Sequence, residues 1–202
     1  KIRSLKYPLA SSICFIFAPL MKPKVLLDKK LFELVINRLC YELIENHDDF
    51  RNTVVIGIQP RGVVLAELIY RRLKKIAPKI ALQYGALDIT FFRDDFRRRE
   101  DPVLANTTKI DFLIEGKRVI LVDDVLFTGR TIRSAFDALL AFGRPDAIEL
   151  LVLIERRFSL QVPVNPKYVG KSVDSIASQR VLVKWKIDGE PDKVILHTST
   201  DE

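Results

Sequence analysis

At 202 residues, 48% apolar and 29% charged, the chain is long enough to bury one full hydrophobic core. That composition excludes a disordered tail, a collagen-like chain and a polytopic membrane protein. The formal charge of +7 invites a polyanionic partner such as nucleic acid, a phosphorylated metabolite or a membrane surface. Lys1, Arg3 and Lys6, however, precede residue 21 without an acid among them, leaving only +4 of that charge for the rest.

Residues 1–20 stand apart. Tyr7 to Met21 is uncharged, follows a basic start and is bracketed by Pro8 and Pro19. It is shorter than the roughly 20 residues of a transmembrane helix and lacks a small-x-small cleavage site. We read residues 1–20 as a leader or upstream extension rather than an export signal, and residues 21–202 as a single domain. Cys14 and Cys40 cannot build a disulfide framework or a four-ligand zinc site, and His47 and His197 are the only imidazoles. A reducing, cytoplasmic setting with no membrane partner fits these counts.

Asp28 is placed to cap a helix in which Leu31, Leu34, Val35, Leu39 and Leu43 recur at helical spacing until His47-Asp48-Asp49. Thr53 to Ile58 is a β-branched apolar run, the mark of a buried strand. It is interrupted by Gly57-Ile58-Gln59-Pro60-Arg61-Gly62. A second helix carries Val63, Val64, Ala66, Leu68, Ile69 and Leu73 inward and ends in Arg71, Arg72, Lys74 and Lys75, where cations suit the dipole. Ile80 to Thr90 reads as a strand. Phe92 to Asp111 is a long, charge-dense segment of the kind that forms lids or binding loops. Arg118 to Val122 reads as a strand, Thr131 to Phe142 as a helix, and Ala147 to Ile154 as a strand. Val181 to Ile187 and Lys193 to His197 read as a terminal hairpin. This alternation predicts an α/β domain, a parallel sheet with helices on both faces.

The run from Val119 through Asp123, Asp124, Val125, Leu126, Phe127, Thr128, Gly129, Arg130 to Thr131 is the most informative. An apolar strand delivers two carboxylates to the carboxyl edge of the sheet, where open α/β sheets bind ligands. The following Thr128-Gly129-Arg130-Thr131 opens a helix whose free amides and dipole suit a phosphate. Gly129 permits close backbone approach, and the threonine hydroxyls add donors. Carboxylates beside a phosphate cradle make sense if they hold ribose hydroxyls or a nearby Mg²⁺. A ribose 5-phosphate fits both halves. Neither a Walker A loop nor the dinucleotide glycine pattern is present. The plainer alternative, acids that merely end a strand and a threonine that merely caps a helix, explains less of the run.

These residues resemble the phosphoribosyl-pyrophosphate-binding motif of type I phosphoribosyltransferases. More closely, they are similar to the family of bifunctional pyrimidine-operon regulators and uracil phosphoribosyltransferases. The resemblance extends through Gly57 to Gly62, Leu87 to Asp95 and Tyr168-Val169-Gly170-Lys171. It implies a type I phosphoribosyltransferase fold with a flexible lid loop and a small hood. It also implies conversion of uracil and phosphoribosyl pyrophosphate to UMP and pyrophosphate with Mg²⁺, and a homodimer or higher homo-oligomer.

By that resemblance Asp123 and Asp124 meet the ribose, and bind metal indirectly through ribose-bound Mg²⁺. Val125, Phe127, Thr128, Gly129, Arg130 and Thr131 line the substrate. Gln59, Pro60, Arg61 and Gly62 meet the pyrophosphate, with Arg61 counted with the two acids as catalytic. Arg93, Asp94 and Asp95 belong to the lid, expected to close over substrate. Val169 and Lys171 sit in the hood, where the Val169 backbone reads the base. Pro60 departs from the threonine that many members carry, and it lowers the cost of a cis Gln59–Pro60 bond. Phe127 replaces the aspartate of purine-specific relatives and favours a pyrimidine, unless it packs inward as core.

The family also implies binding to leader RNA, with Arg71, Arg72, Lys74, Lys75, Lys79, Arg156, Arg157 and Lys167 as candidate contacts. No RNA-reading motif supports this independently. Two alternatives therefore stay open: an attenuation regulator with weak or no catalysis, and a transferase for hypoxanthine/guanine or orotate.

Overall fold

The computed structural model describes residues 23–94, 105–176 and 178–198. Residues 95–104, half of the charge-dense segment and including Asp95, lie outside them, as do the first twenty residues. Strand β1 (Lys24–Leu27) leads into helix α1 (Lys29–His47). The Asp28 side chain caps α1 by accepting from the Leu31 amide at 2.8 Å. Then follow β2 (Thr53–Ile58), α2 (Arg61–Ile76), β3 (Gln83–Leu87), β4 (Arg118–Leu126), α3 (Arg130–Leu140) and β5 (Ala147–Arg157). The chain continues through β6 (Tyr168–Asp174), β7 (Gln179–Lys184) and β8 (Lys193–Thr198).

Five strands form a parallel sheet in the order β3-β2-β4-β5-β6. β2 is entirely buried and β4 nearly so, which is why their sequences are continuous apolar runs rather than alternating ones. On one face, Ile120 and Val122 of β4 pack with Leu65 and Ile69 of α2 and with Phe32, Ile36 and Leu39 of α1. On the other, Val119 and Leu121 pack with Ile132, Ala135 and Leu139 of α3. From β2 the chain steps outward to β3, then returns past β2 to place β4 on its other side. The loops leaving β2 and β4 therefore diverge, and a crevice opens between the carboxyl ends of these two strands.

Several boundaries differ from the sequence reading. The strand expected over Ile80 to Thr90 is confined to β3, and Thr90–Phe92 forms a 3₁₀ turn. β4 and β5 run four and three residues beyond their predicted ends, so the two acids lie within the strand. α1 buries Phe32, Ile36, Leu39, Cys40, Leu43 and His47, while Leu31 and Leu34 are exposed. Two apolar stripes coexist on that helix, and only tertiary packing selects between them.

The hood is also built differently. Tyr168-Val169-Gly170-Lys171 belongs to β6, an edge strand of the main sheet. The small second sheet is instead the antiparallel set β1-β8-β7. The expected terminal hairpin supplies two of its strands, and four residues from the other end of the domain supply the third. Trp185, buried where β7 ends, meets Phe32 of α1 edge-on with centroids 5.7 Å apart and anchors this sheet to the core. No helix among the described residues is long and apolar enough to cross a membrane.

Candidate active site at the carboxyl edge of the sheet

Asp123 and Asp124 are adjacent in β4, so their side chains leave opposite faces of the strand. Asp123 continues the Val119–Leu121 side toward α3 and lines a cavity of about 550 Å³. Asp124 continues the Ile120–Val122 side toward α2, and the charge of Arg61 acts on it. The Asp124 amide donates to Asp123 Oδ1 at 2.9 Å. Burial, and next the charge of Asp124, push the Asp123 carboxyl well above the usual carboxylate range. Burial also raises Asp124, against the opposing pull of the Val125 amide and Arg61.

The same cavity is lined by Val125, Phe127, Thr128, Gly129, Arg130 and Thr131, with Arg93 and Asp94 across it. Gly129 adopts φ +82°, the left-handed conformation that glycine allows without strain, and no side chain caps α3. The Arg130 amide makes a long 3.4 Å bond to Thr128 Oγ1, and the next amides of α3 are left to an anion. The Thr128 carbonyl accepts from the Gln161 and Val162 amides at 2.9 and 3.2 Å, tying the cradle to the segment after β5. Arg130 donates to Gln161 Oε1 at 2.9 Å and pairs with Asp94.

The loop after β2 lies on the other side of the crevice. The Gln59–Pro60 peptide is cis. A Cβ on Gly62 would lie 2.3 Å from the Val122 carbonyl oxygen, so glycine is what lets the first turn of α2 press against β4 beside the acids. Arg61 opens α2 and pairs with Asp188 of the hood at 2.7 Å. Gln59 donates to the Thr107 carbonyl at 2.7 Å and faces a separate cavity with Tyr84 and Asn106.

A second cavity of about 660 Å³ adjoins the first, with Phe127 lining both. Phe127 is 41% exposed, which rules against its packing as core. The opposite walls are Phe158, Leu160, Asp174, Ser175 and Ile176, and Arg156 forms the floor. Arg156, only 5% exposed, stacks on Phe127 with its guanidinium carbon 4.0 Å from the ring centre. It donates to Ser175 Oγ at 2.8 Å and to the Ile176 carbonyl at 3.1 Å.

The placement of two hood residues departs from the sequence reading. Val169 and Lys171 do not reach either of these cavities. The Val169 and Gly170 carbonyls accept from Arg38, and Lys171 donates to the Leu26 carbonyl, because β6 is tied to α1 and β1. Among the candidate RNA contacts Arg156 is withdrawn from solvent, whereas Arg157, Lys167 and Arg71 sit in exposed ion pairs with Asp174, Glu149 and Glu67. Sequence reasoning missed Arg156 and Asp188 as parts of the site. Arg156 had one signal available, a cation at the carboxyl end of a buried parallel strand; Asp188 had none.

Residues 24–188 match the phosphoribosyl transferase domain family. The bifunctional protein PyrR of Haemophilus ducreyi is 40% identical over 178 residues, covering 87% of this chain and 98% of that protein. Its namesake in Listeria monocytogenes is 38% identical over 182 residues, covering 88% and 98%. A crystal structure of a hypoxanthine phosphoribosyltransferase from Staphylococcus aureus superposes with a TM-score of 0.65 at 18% identity, over 88% of this chain and 93% of that one. That likeness carries the fold alone. The chain belongs to the phosphoribosyl transferase family and, within it, to the bifunctional PyrR proteins.

Proposed function

We propose that this chain transfers the phosphoribosyl group of phosphoribosyl pyrophosphate to uracil, releasing pyrophosphate and forming UMP. The observation that carries this reading is the continuous path from Asp123 on β4, through Phe127, to the glycine-opened start of α3. One strand and one helix thereby present a carboxylate, an aromatic ring and the opening amides of α3 to a single cavity. The α3 amides take the 5′-phosphate, and the acids of β4 orient the ribose hydroxyls. Arg61 and the start of α2 take the pyrophosphate.

Substitution at the ribose carbon proceeds by departure of the leaving group, so no side-chain nucleophile is needed. The chain acts by positioning and by electrostatics. Phe127 and the apolar walls around Arg156 form a slot suited to a small planar base. A Mg²⁺ held by oxygens of the substrate fits this donor set, since no cluster of three ligating side chains forms among the described residues. Asp123 and Asp124 would reach the ion indirectly, through the ribose hydroxyls, and its charge would ease pyrophosphate departure.

Binding of pyrimidine-operon leader RNA is the second half of this reading. It is supported by membership among the bifunctional proteins, and Lys75 and Lys79 stand exposed to take part. Self-association as a homodimer or higher homo-oligomer belongs to the same reading and is read out by sedimentation. A labelled-base assay with uracil, hypoxanthine and orotate, run beside Asp124→Asn, tests the catalytic half. UMP formation that the variant loses supports it, and preferential use of hypoxanthine or orotate overturns the base assignment. Salt-sensitive leader binding without UMP formation would leave regulation as the sole activity.

A further inference from the structure

The guanidinium assigned to pyrophosphate already holds an anion. Arg61 donates to Asp188 Oδ2 at 2.7 Å, and Asp188 belongs to the 3₁₀ turn Lys186–Asp188 between β7 and β8. The two partners come from different parts of the fold. Arg61 stands on the main sheet's crevice, where Gly62 clamps the backbone against β4. Asp188 stands on the hood. Both side chains are more than a third exposed, so solvent and small anions reach the pair. Asp124 also acts on Arg61 from within the core, leaving the guanidinium between a core carboxylate and a hood carboxylate.

We propose that Asp188 is a positioning residue that competes with pyrophosphate for Arg61. The incoming anion displaces it, so that occupancy of the pyrophosphate site is coupled to the hood. The backbone of Arg61 cannot retreat, because a first turn held by Gly62 has no room to move toward β4. Exchange therefore falls to the side chains. An exposed carboxylate–arginine pair is weak, whereas a phosphate oxygen pair accepts from arginine at two points and carries more charge. Displacement then favours the ligand. The other cationic side of the crevice repeats the arrangement: Arg130, beside the phosphate cradle, is paired with Asp94 from outside its own loop. Two arginines that face the proposed donor thus rest on internal carboxylates.

The hood carries its own reporter. Trp185 is the chain's only tryptophan, and its carbonyl accepts from the Asp188 amide at 2.9 Å. Its ring is buried against Phe32, with Nε1 buried and without a hydrogen-bond partner among the described residues. A change at Asp188 is therefore transmitted to a fluorophore three residues away.

This inference rests on the proposed transfer reaction for the identity of the anion. The test uses inorganic pyrophosphate titrated into the full chain while Trp185 emission is followed, together with steady-state kinetics of Asp188→Asn and Asp188→Glu. Pyrophosphate should shift the emission. Asp188→Asn should lower KM for the phosphoribosyl donor about two- to fivefold, the scale of an exposed ion pair. It should also tighten pyrophosphate inhibition by a similar factor and change kcat less than KM. Asp188→Glu should restore values close to those of the parent. An unmoved emission, or a donor KM that is unchanged or raised in Asp188→Asn, overturns the proposal. The titration needs no variant, so a misfolded substitution leaves it testable. If the parent chain forms no UMP while pyrophosphate still shifts Trp185, the reaction assignment falls and the coupling stands. If it forms UMP with an unmoved Trp185, the reverse holds.

Discussion

The guanidinium of Arg156 lies 4.0 Å from the centre of the Phe127 ring, joining the carboxyl end of β5 to the residue that separates the two cavities. A buried cation in that place is held by the ring on one side and by Ser175 and Ile176 on the other. It fixes both walls of the slot in which the base is proposed to lie.

Removing that brace should loosen base binding more than catalysis. Arg156→Met keeps much of the side-chain volume and deletes the stack and two hydrogen bonds. KM for uracil should rise about tenfold, as expected for losing buried charge-assisted hydrogen bonds, with a smaller change in KM for the phosphoribosyl donor. Steady-state kinetics with each substrate varied in turn separates the two.

Asp123 should show opposed effects on activity and stability. Burial, with the charge of Asp124 added, raises its carboxyl in the folded protein. The folded state therefore binds that proton more tightly than the unfolded chain does. The associated stability is fully present below about pH 3.9 and is lost as pH rises through the raised folded value. Above that value the ionised acid is a cost. Asp123→Asn should accordingly raise Tm more at the higher of two pH values than at the lower, while UMP formation falls on the order of 10²-fold. Thermal melts at the two pH values and the labelled-base assay check both halves.

Acid should weaken the opposite edge of the sheet. His47, at the end of α1, bonds Thr53 Oγ1 and Tyr168 Oη, both at 3.0 Å, and lies 3.1 Å from Glu149. Burial lowers the imidazole below its ordinary value, and Glu149 offsets only part of that. Burial alone would raise Glu149, but hydrogen bonds from Lys167 and Tyr168, with the charge of His47, bring it below its ordinary value. For a depressed group, stability is present above the unfolded value and lost as pH falls through the folded one. For His47 the decline begins near pH 6.5, and Glu149 adds to it near pH 4. His47→Gln should lower stability at pH 7 by about 1–3 kcal/mol and shrink the difference between pH 7 and pH 5. Urea unfolding at both pH values measures this.

Gly62→Ala should damage fold and function together. The added Cβ would meet the Val122 carbonyl oxygen at 2.3 Å and the Asp123 Cα at 3.0 Å, and both contacts are backbone. α2 must move away from β4, at a cost of about 1–3 kcal/mol. Arg61 would shift relative to the acids, so KM for the phosphoribosyl donor should rise even where the variant remains folded. Differential scanning calorimetry and kinetics report the two effects.

Much of the site was legible because its parts are contiguous. The run from Val119 to Thr131 determines by itself a buried strand, two carboxylates carried toward its carboxyl end and a helix opened by a glycine. The alternation of strands and helices likewise determined a parallel sheet with helices on both faces. These are local properties, set by backbone preference and apolar period within a dozen residues. Only the tertiary structure decided that Asp123 and Asp124 serve opposite faces of β4, and that β1 completes the hood. It likewise decided that Val169 and Lys171 belong to a sheet edge, that Arg156 is buried rather than presented to solvent, and that Arg61 meets Asp188. Each of those outcomes depends on which distant segment covers a residue. A charged side chain reads the same in the sequence whether it faces water or a ring 29 positions away, because burial and pairing are properties of the packed chain and not of the residue.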